Sequence, residues 1–280
     1  MSAENFIPEL WHDEIQKERE TNLVIRHICD TAYEGEIKKK GDTIHFAGIK
    51  TPTIKDYVKG QDIEFEDIKD DMGTLLIDQA KYFAVTLDNI DKAQSDSKLL
   101  NEQSRQGAYA LNKTADSFVL GKYAEAANTI TNNGVTVANA LYVISEVKRT
   151  LEEKDIMKEN GFVVVTPWFK ELLTLAGIHF QIKDGITKGI SFTDELDIDM
   201  YVSNQLAEST GHTAAQPAHH MLAGSYKSII YGDNLVDIQG GTREKRFEDY
   251  IKGLHVYGAK VIRPKELIDI QVQKAANALA

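Results

Sequence analysis

The chain has 280 residues, of which 42% are hydrophobic, and these values suit one large domain or two ordinary ones with a substantial core. The formal net charge of −11 disfavours a protein whose main task is to grip nucleic acid, because such proteins carry a basic surface. A single cysteine, Cys29, excludes an intramolecular disulfide, and no stretch reaches the roughly 18 apolar residues of a membrane span. Since the acidic N-terminus also lacks a signal peptide, we expect a soluble protein made in a reducing compartment.

Residues 1–33 are predicted to form an arm. Trp11 lies in a short amphipathic stretch with Leu10 and Ile15 on its apolar side, and residues 23–28 are a short apolar run. A segment this thin has too little apolar surface to make its own core. It must therefore lie on its own subunit, which is the commoner arrangement, or on a neighbouring molecule.

Residues 34–90 have the alternating pattern of β-strands, with strands predicted at 43–46, 74–77 and 82–87. The part between the first two strands is strongly charged and has little apolar surface to bury, so it is predicted to be a long hairpin that projects from the body. Such a ribbon leaves strand edges unpaired, and it therefore either lies in solvent or pairs with another chain. Three of its acidic residues are candidate contacts with such a chain: Glu64, Glu66 and Asp67.

One long helix is predicted over residues 96–130, because small or apolar residues recur there every three to four positions. Its other face is predicted to carry polar residues: Lys98, Glu102, Arg105, Asn112, Lys113, Asp116 and Lys122. Asn132, Asn133 and Gly134 are suited to end it, since they tolerate left-handed backbone angles. Such a helix would be about 50 Å long, which makes it a strut rather than an ordinary core helix.

A mixed α/β region is predicted beyond residue 135. A second amphipathic helix is predicted at 137–154, with an apolar side formed by Leu141, Ile144, Val147 and Leu151. The continuous apolar run at 162–165 predicts a strand covered on both faces. Pro167 then opens a helix that ends near residue 176, and residues 207–220 have the composition of a polar loop.

The C-terminal part is predicted to consist of short strands separated by turns, and its last strand is predicted at 267–272. Gly232, Asp233 and Asn234 predict a bend between two strands, and Gly258 is predicted to join two others. Residues 240–246 are predicted to be a charged turn. Its basic residues are too few for a nucleic-acid groove and suit ion pairs with an acidic neighbour: Arg243, Lys245 and Arg246.

Common catalytic and cofactor motifs are absent from the sequence, including glycine-rich phosphate loops and the GxSxG elbow. Cys29 lies in an apolar run, which favours a buried thiol over a nucleophile. His219 and His220 are adjacent, so on an extended chain they would point to opposite faces and would not share a metal ion. The acids of residues 62–71 lack the glycine and spacing of a calcium loop. We therefore predict no catalytic residue, metal or cofactor.

Several segments resemble a known family, in chain order FIPELW at 6–11, GDTI at 41–44, LIDQ at 76–79, FAVTLDNID at 83–91, FVVVTP at 162–167 and YGAKVIRP at 257–264. Together with the succession of arm, charged hairpin, long helix, mixed α/β region and returning strand, they resemble the major capsid (coat) protein of tailed bacteriophages. The similarity extends over nearly the whole chain. It is greatest to members of the family that lack an N-terminal protease-cleaved segment.

The resemblance implies an α+β major-capsid fold in five segments: an N-terminal arm (1–33), an extended β-hairpin loop with lead-in strands (34–90), the spine helix of a peripheral domain (91–134), an axial domain (135–250) and C-terminal strands that return to the peripheral domain (251–280). It implies a structural protein, not an enzyme, whose copies form the hexamers and pentamers of an icosahedral shell around double-stranded DNA. The implied partners are the chain itself and scaffolding and portal proteins. The implied location is the virion capsid, after assembly in the host cytoplasm.

Nine residues are the candidates for contacts between subunits: Trp11, Lys55, Lys59, Glu64, Glu66, Asp67, Arg243, Lys245 and Arg246. The two loop lysines are included because some members of the family join a loop lysine covalently to an asparagine of a neighbour, although no partner for such a bond is identified here. Three alternatives stay open: an encapsulin-like nanocompartment shell with an enzyme cargo, a soluble α/β enzyme, and a tail or fibre protein.

Overall fold

The computed structural model describes residues 24–31, 39–48, 54, 56, 62, 71–88, 99–153, 161–178, 190–193, 198–242 and 248–278. These ranges contain four α-helices: α1 Ile25–Ile28, α2 Leu99–Leu120, α3 Val137–Glu153 and α4 Pro167–Leu175. They also contain eleven strands: β1 Thr43–Gly48, β2 Asp71–Leu76, β3 Gln79–Asp88, β4 Asn128–Val135, β5 Gly161–Val165, β6 Ile190–Thr193, β7 Ile198–Val202, β8 Ala218–Ser225, β9 Ile229–Thr242, β10 Glu248–Val261 and β11 Leu267–Lys274.

A six-stranded mixed sheet with the order β4-β11-β8-β5-β7-β6 contributes most of the core. β5 lies inside this sheet, parallel to β7 and antiparallel to β8. Every residue of β5 is buried, which is why its sequence is apolar throughout. α3 and α4 pack against each other, and their buried side chains belong to the same core. The predicted buried strand and the helix that begins at Pro167 are confirmed.

A second sheet has three antiparallel strands in the order β3-β10-β9, and α2 packs against β3 and β10. The ring of Phe83, on β3, lies close to the backbone of both α2 and β10. A Cβ atom would come within 2.7 Å of this ring at Gly107 of α2 and within 2.6 Å at Gly253 of β10. Glycine at both positions therefore lets the long helix lie close to the sheet.

β1 and β2 form a separate antiparallel ribbon, which confirms the strand pairing predicted for the hairpin in residues 34–90. Its base is held by a small core in which Ile44, Leu75 and Ile77 meet Ile230 and Val256 of the three-stranded sheet. Between the two strands the structure describes only residues 54, 56 and 62, all of them exposed. The rest of the predicted projecting part lies outside the described residues.

The prediction of one helix as far as residue 130 is wrong at its C-terminal end. α2 ends at Leu120, a 3₁₀ helix covers Gly121–Glu125, and β4 begins at Asn128. β4 pairs in parallel with β11, near the other end of the chain. That long-range pairing supplies backbone hydrogen bonds to a polar sequence whose local pattern favours a helix. The predicted start of the helix, at residues 96–98, lies outside the described residues.

Two breaks predicted in the C-terminal strands are also wrong. Gly232, Asp233 and Asn234 lie inside the continuous strand β9, and Gly258 lies inside the continuous strand β10. The two positions face each other, since Gly232 pairs with Gly258 in the antiparallel register. Residues typical of turns remain extended here because the neighbouring strand pairs with their backbone and, for Asp233, because its buried side chain finds partners there.

Two helices bury a different set of residues from the one predicted. Leu141 of α3 is 36% exposed, and the helix buries Ala140 and Val143 together with the predicted residues at 144, 147 and 151. Asn112 and Asp116 of α2, predicted on the polar face, are only 2% and 6% exposed. The buried stripe of α2 is wider than its apolar pattern because α1 packs against the same helix.

Gly258 allows a close contact between two backbones. A Cβ atom at this position would lie 2.5 Å from the carbonyl oxygen of Leu76 and 3.1 Å from the Cα atom of Ile77. We expect Gly258→Ala to lower the free energy of unfolding by about 1–3 kcal/mol, as overpacking does, and to lower the urea midpoint. Gly121→Ala is the control, because nothing lies within 4 Å of its Cβ position. Equal midpoints for the two variants would contradict this contact.

Candidate functional site

All nine predicted contact residues lie outside the described residues: Trp11, Lys55, Lys59, Glu64, Glu66, Asp67, Arg243, Lys245 and Arg246. The structure therefore does not show which of them come together, and their role stays a prediction. The described residues instead reveal two polar clusters around the end of the predicted arm, and a set of exposed strand edges and apolar side chains.

Residues 24–31, which we name the docking segment, connect the predicted arm to the body of the subunit. Ile25 and Ile28 of α1 are fully buried in the main core, and Cys29 is 8% exposed. Asp30 forms a parallel bridge with β9: its N–H donates to the oxygen of Ile229 at 2.9 Å, and its carbonyl accepts from the N–H of Tyr231 at 3.0 Å. This part of the arm therefore lies on its own subunit, as one of the two predicted arrangements requires.

The carboxylate of Asp233 is the centre of a buried cluster. Arg26 of the docking segment donates from Nη2 to Oδ1 at 3.1 Å. Tyr231 donates its hydroxyl to Oδ2 at 3.0 Å, and His255 Nε2 lies 3.0 Å from the same oxygen. Because Asp233 and His255 have almost no solvent exposure, these bonds replace the water that an aspartate otherwise needs. The cluster joins the docking segment to β9 and β10.

Asp116 of α2 forms the second contact with the docking segment. Its Oδ1 accepts from the backbone N–H of Ile25 at 3.3 Å. Burial raises the pKa of Asp116 to about 7, although hydrogen bonds from the backbone amides of Ile25 and Val24 act in the opposite direction. Burial, with the nearby charges of Asp116 and Asp30, also raises the pKa of the Cys29 thiol above its ordinary value, so this thiol is not an activated nucleophile.

The two adjacent histidines point to opposite faces of β8, as predicted. His219 accepts from Trp168 Nε1 at 3.3 Å, and its ring lies 5.0 Å from that of His212. His220 lies on the other side, with Nδ1 2.9 Å from a carboxylate oxygen of Asp269. No group of three potential metal-ligating side chains occurs within the part of the chain that the structure describes. Both histidines therefore have partners from the fold itself.

An open groove of about 420 Å³ lies beside α2 and β3. Among the described residues it is lined by Gln79, Lys81, Lys113, Thr114, Ser117, Phe118, Gln205 and Tyr257. This lining contains no carboxylate, histidine or thiol to serve as a general base or as a paired nucleophile. The described lining offers lysine, hydroxyl and amide groups instead.

Solved structures from phages and from a virus-like particle share this architecture. The structure from Mycobacterium phage Che8 matches with a TM-score of 0.68 and 22% identity, over 89% of this chain and 91% of that chain. The capsid structure of the cyanophage P-SCSP1u matches with a TM-score of 0.61 and 15% identity, over 85% of both chains. The virus-like particle from Pyrococcus furiosus matches with a TM-score of 0.57 and 10% identity, over 94% of this chain and 98% of that one.

The chain has the α+β fold of a phage major capsid protein. No family model and no curated protein sequence matches it. The similarity is therefore one of three-dimensional structure over nearly the whole chain, with little sequence identity. The α+β major-capsid fold that the resemblance implies is confirmed.

On this capsid fold, strand edges and apolar side chains remain at the surface. β3 and β9 are the outer strands of the three-stranded sheet, and β4 and β6 are those of the larger sheet. Tyr82 on β3 is 76% exposed, and other large apolar side chains are exposed on the helices: Tyr109, Leu141, Tyr142 and Leu175. None of the described helices is long and apolar enough to cross a membrane. Outer strands that carry exposed aromatic residues are surfaces suited to another protein chain.

Sequence reasoning missed both polar clusters. Asp233 lies between glycine and asparagine, a pattern typical of a turn, and Asp116 has the spacing of a solvent-facing helix residue. The partners of Asp233 come from three separate elements, namely Arg26, Tyr231 and His255. The only local signal was the spacing of Tyr231 and Asp233, two residues apart, which places both on one face of a strand.

Proposed function

We propose that the chain is the major capsid protein of a tailed phage, whose copies assemble as hexamers and pentamers into an icosahedral shell. The observation that carries this proposal is the match of about nine-tenths of the chain to phage capsid structures, over a similar share of those chains. A fold by itself does not determine function. Here the proposal also has the support of surfaces that one subunit leaves uncovered, since closed symmetry is the means by which identical subunits cover such edges.

The five predicted segments are proposed to act as they do in the capsid family that the sequence resembles. The arm (1–33) and the extended loop (34–90) would contact neighbouring subunits through the nine candidate residues. Segment 91–134 would supply the peripheral domain, 135–250 the axial domain, and 251–280 the returning strands. Four strand pairings link these segments within a subunit: β10 with β9 and with β3, and β11 with β4 and with β8.

The net charge of −11 supports a container for DNA that does not hold it tightly. An acidic inner wall would allow packaged double-stranded DNA to move while the shell is filled. Purified shells should therefore bind duplex DNA weakly at physiological salt, in a gel-shift or filter assay. The proposed partners in this process are scaffolding and portal proteins, the place of assembly is the host cytoplasm, and the final location is the virion.

A nanocompartment shell with a protein cargo is the second candidate function. The observation that favours it is the match to the virus-like particle from Pyrococcus furiosus, which covers 94% of this chain. A shell of either kind would be structural and would have no catalytic residues of its own. The contents of the shells distinguish the two functions. Shells isolated from the natural source should hold nuclease-resistant DNA if the chain forms a phage capsid, and a co-purifying enzyme if it forms a nanocompartment.

Electron microscopy of the expressed chain tests the proposal directly. We expect negative-stain images to show hexamers, pentamers or closed shells of uniform diameter, and light scattering after size-exclusion chromatography to give a mass many times that of the 31.3 kDa chain. The chain should be expressed alone and together with the genes beside it, since scaffolding proteins assist many shells. A monomer under both conditions would contradict a role in a shell.

A charge on the edge strand β3 should reduce assembly. Tyr82 is 76% exposed, so Tyr82→Lys should change the free energy of unfolding of the subunit by less than about 0.5 kcal/mol. We expect at least about tenfold less shell by sedimentation, because a loss of 1.4 kcal/mol at one contact is already tenfold and the contact is repeated in every subunit. Tyr82→Phe keeps the apolar surface and should assemble normally. A normal yield with lysine would exclude this edge from the contacts.

A further inference from the structure

The docking segment is attached to the subunit by contacts of three kinds. The apolar side chains Ile25 and Ile28 are fully buried, Asp30 bridges to β9, and Arg26 pairs with Asp233. At the start of α1, however, the segment lies on a buried carboxyl group, since Ile25 donates its N–H to Asp116 at 3.3 Å. These contacts differ in one respect: Asp233 has a cationic partner, and the described residues place no cation against Asp116.

Among the described residues no positive side chain lies against Asp116, and the backbone N–H groups of Ile25 and Val24, which favour its charged form, are outweighed by its burial. The docking segment presents the Cys29 thiol and the carboxylate of Asp30, and neither of these groups is positive. Arg26 is directed to Asp233 on β9, which also binds the ring nitrogen of His255 from β10. His27 stacks on Tyr201, and its pKa is lowered by burial and by the charge of Arg26. On α2 itself, the nearest polar residue on the same stripe is Asn112, a neutral amide that is 2% exposed.

We propose that Asp116 makes the docking of residues 24–31 dependent on pH: its neutral carboxyl group holds the segment against α2, and ionisation weakens that attachment. The burial of Asp116 supports this, because an ionised carboxylate under the segment must either lose most of its hydration, which backbone N–H groups replace only in part, or displace the segment to regain water. The loss of hydration has a large free-energy penalty. The inference concerns the subunit alone and does not depend on whether the chain forms a shell.

The direction of the effect follows from the pKa of Asp116, which burial raises from 3.8 to about 7 in the docked state. When the segment leaves, the group meets water and its pKa returns towards the ordinary value. When docking raises the pKa of a group, the group stabilises the docked state fully at a pH below its pKa in the undocked state. That contribution is lost as the pH rises to the pKa of the docked state. Docking should therefore weaken between about pH 4 and pH 7, and stay constant above that range.

Cys29 offers a direct measurement, because it is the only cysteine of the chain and lies buried inside the docking segment. Its rate of reaction with 4,4′-dithiodipyridine is measured from pH 5 to pH 8. At each pH, the rate of the urea-unfolded chain is divided by the rate of the folded chain. This ratio, the protection factor, removes the pH dependence of the thiol itself. We expect the protection factor to fall by at least about tenfold over this range, since each unit of pKa shift corresponds to a factor of ten.

Asp116→Asn tests whether the carboxyl group of Asp116 causes the pH dependence of the protection factor. The amide keeps an oxygen that accepts the N–H of Ile25 but does not ionise, so its protection factor should be nearly constant from pH 5 to pH 8. Asp116→Ser, also neutral, serves if the amide variant does not fold. Asp199→Asn removes a buried acid on β7, which is 5% exposed, and should keep the profile of the unmodified chain.

Two outcomes would overturn the inference. One is a protection factor of the unmodified chain that does not change with pH. The other is an equal fall in the neutral Asp116 variants, which would show that another group or global unfolding causes it. A fall that is present in the unmodified chain and in Asp199→Asn, and absent when residue 116 is neutral, would establish Asp116 as the titrating group.

Discussion

Phe162→Ala is expected to lower the free energy of unfolding by about 3–5 kcal/mol, the range observed when a buried aromatic side chain is truncated. Phe162 lies in β5, inside the six-stranded sheet, and is fully buried. Its ring packs against that of Tyr226 at a centroid distance of 5.6 Å. Both neighbouring strands fix the backbone of β5, so the sheet cannot close over the cavity that alanine would leave.

Urea unfolding of the unassembled subunit, followed by circular dichroism, measures this loss as a lower midpoint. Phe162→Leu is the matched control, because it keeps most of the apolar volume and should reduce the free energy of unfolding by less than about 1.5 kcal/mol. An alanine variant as stable as the leucine variant would mean that the surrounding sheet is able to rearrange around this position.

The parts of the fold that the sequence predicts correctly are those that depend on nearby residues. β5 is recognised because burial on both faces requires an unbroken apolar run, and α4 because Pro167 occupies the first position of a helix. The strands β1 and β2 are each recognised from the alternation of their own residues, although residues 49–70 separate them. In each case the pattern that identifies the element lies within the element itself.

The predictions that fail depend on partners far away in the chain. Residues 128–135 form β4 because β11 offers a strand for parallel pairing, and no local pattern contains that information. Gly258 remains in a strand because it passes close to the backbone at Leu76. The buried position of Asp116 likewise depends on α1, because its partner Ile25 lies 91 residues earlier in the sequence. Local spacing assigned the first to the end of a helix, the second to a turn and the third to solvent.

The second large effect is expected for Asp233→Ala, which should lower the free energy of unfolding by about 3–5 kcal/mol, as does the loss of one partner from a buried ion pair. The carboxylate accepts from Arg26, Tyr231 and His255, and its side chain is 1% exposed. Alanine leaves these donors in a place that water scarcely reaches. Asp62→Ala, at an exposed acid, is the control and should change the free energy by less than about 0.5 kcal/mol.

A double-mutant cycle distinguishes the loss of the Arg26 contact from a general disturbance of the sheet. Arg26→Met alone should destabilise the subunit, because Asp233 then lacks its cation. In the Asp233→Ala background, the same change should have a smaller effect or even stabilise, since the bond from Arg26 to residue 233 is already absent. Strictly additive effects would show that the two residues act independently, and the contact between the docking segment and β9 would then rest on the backbone bridge at Asp30 and on apolar packing alone.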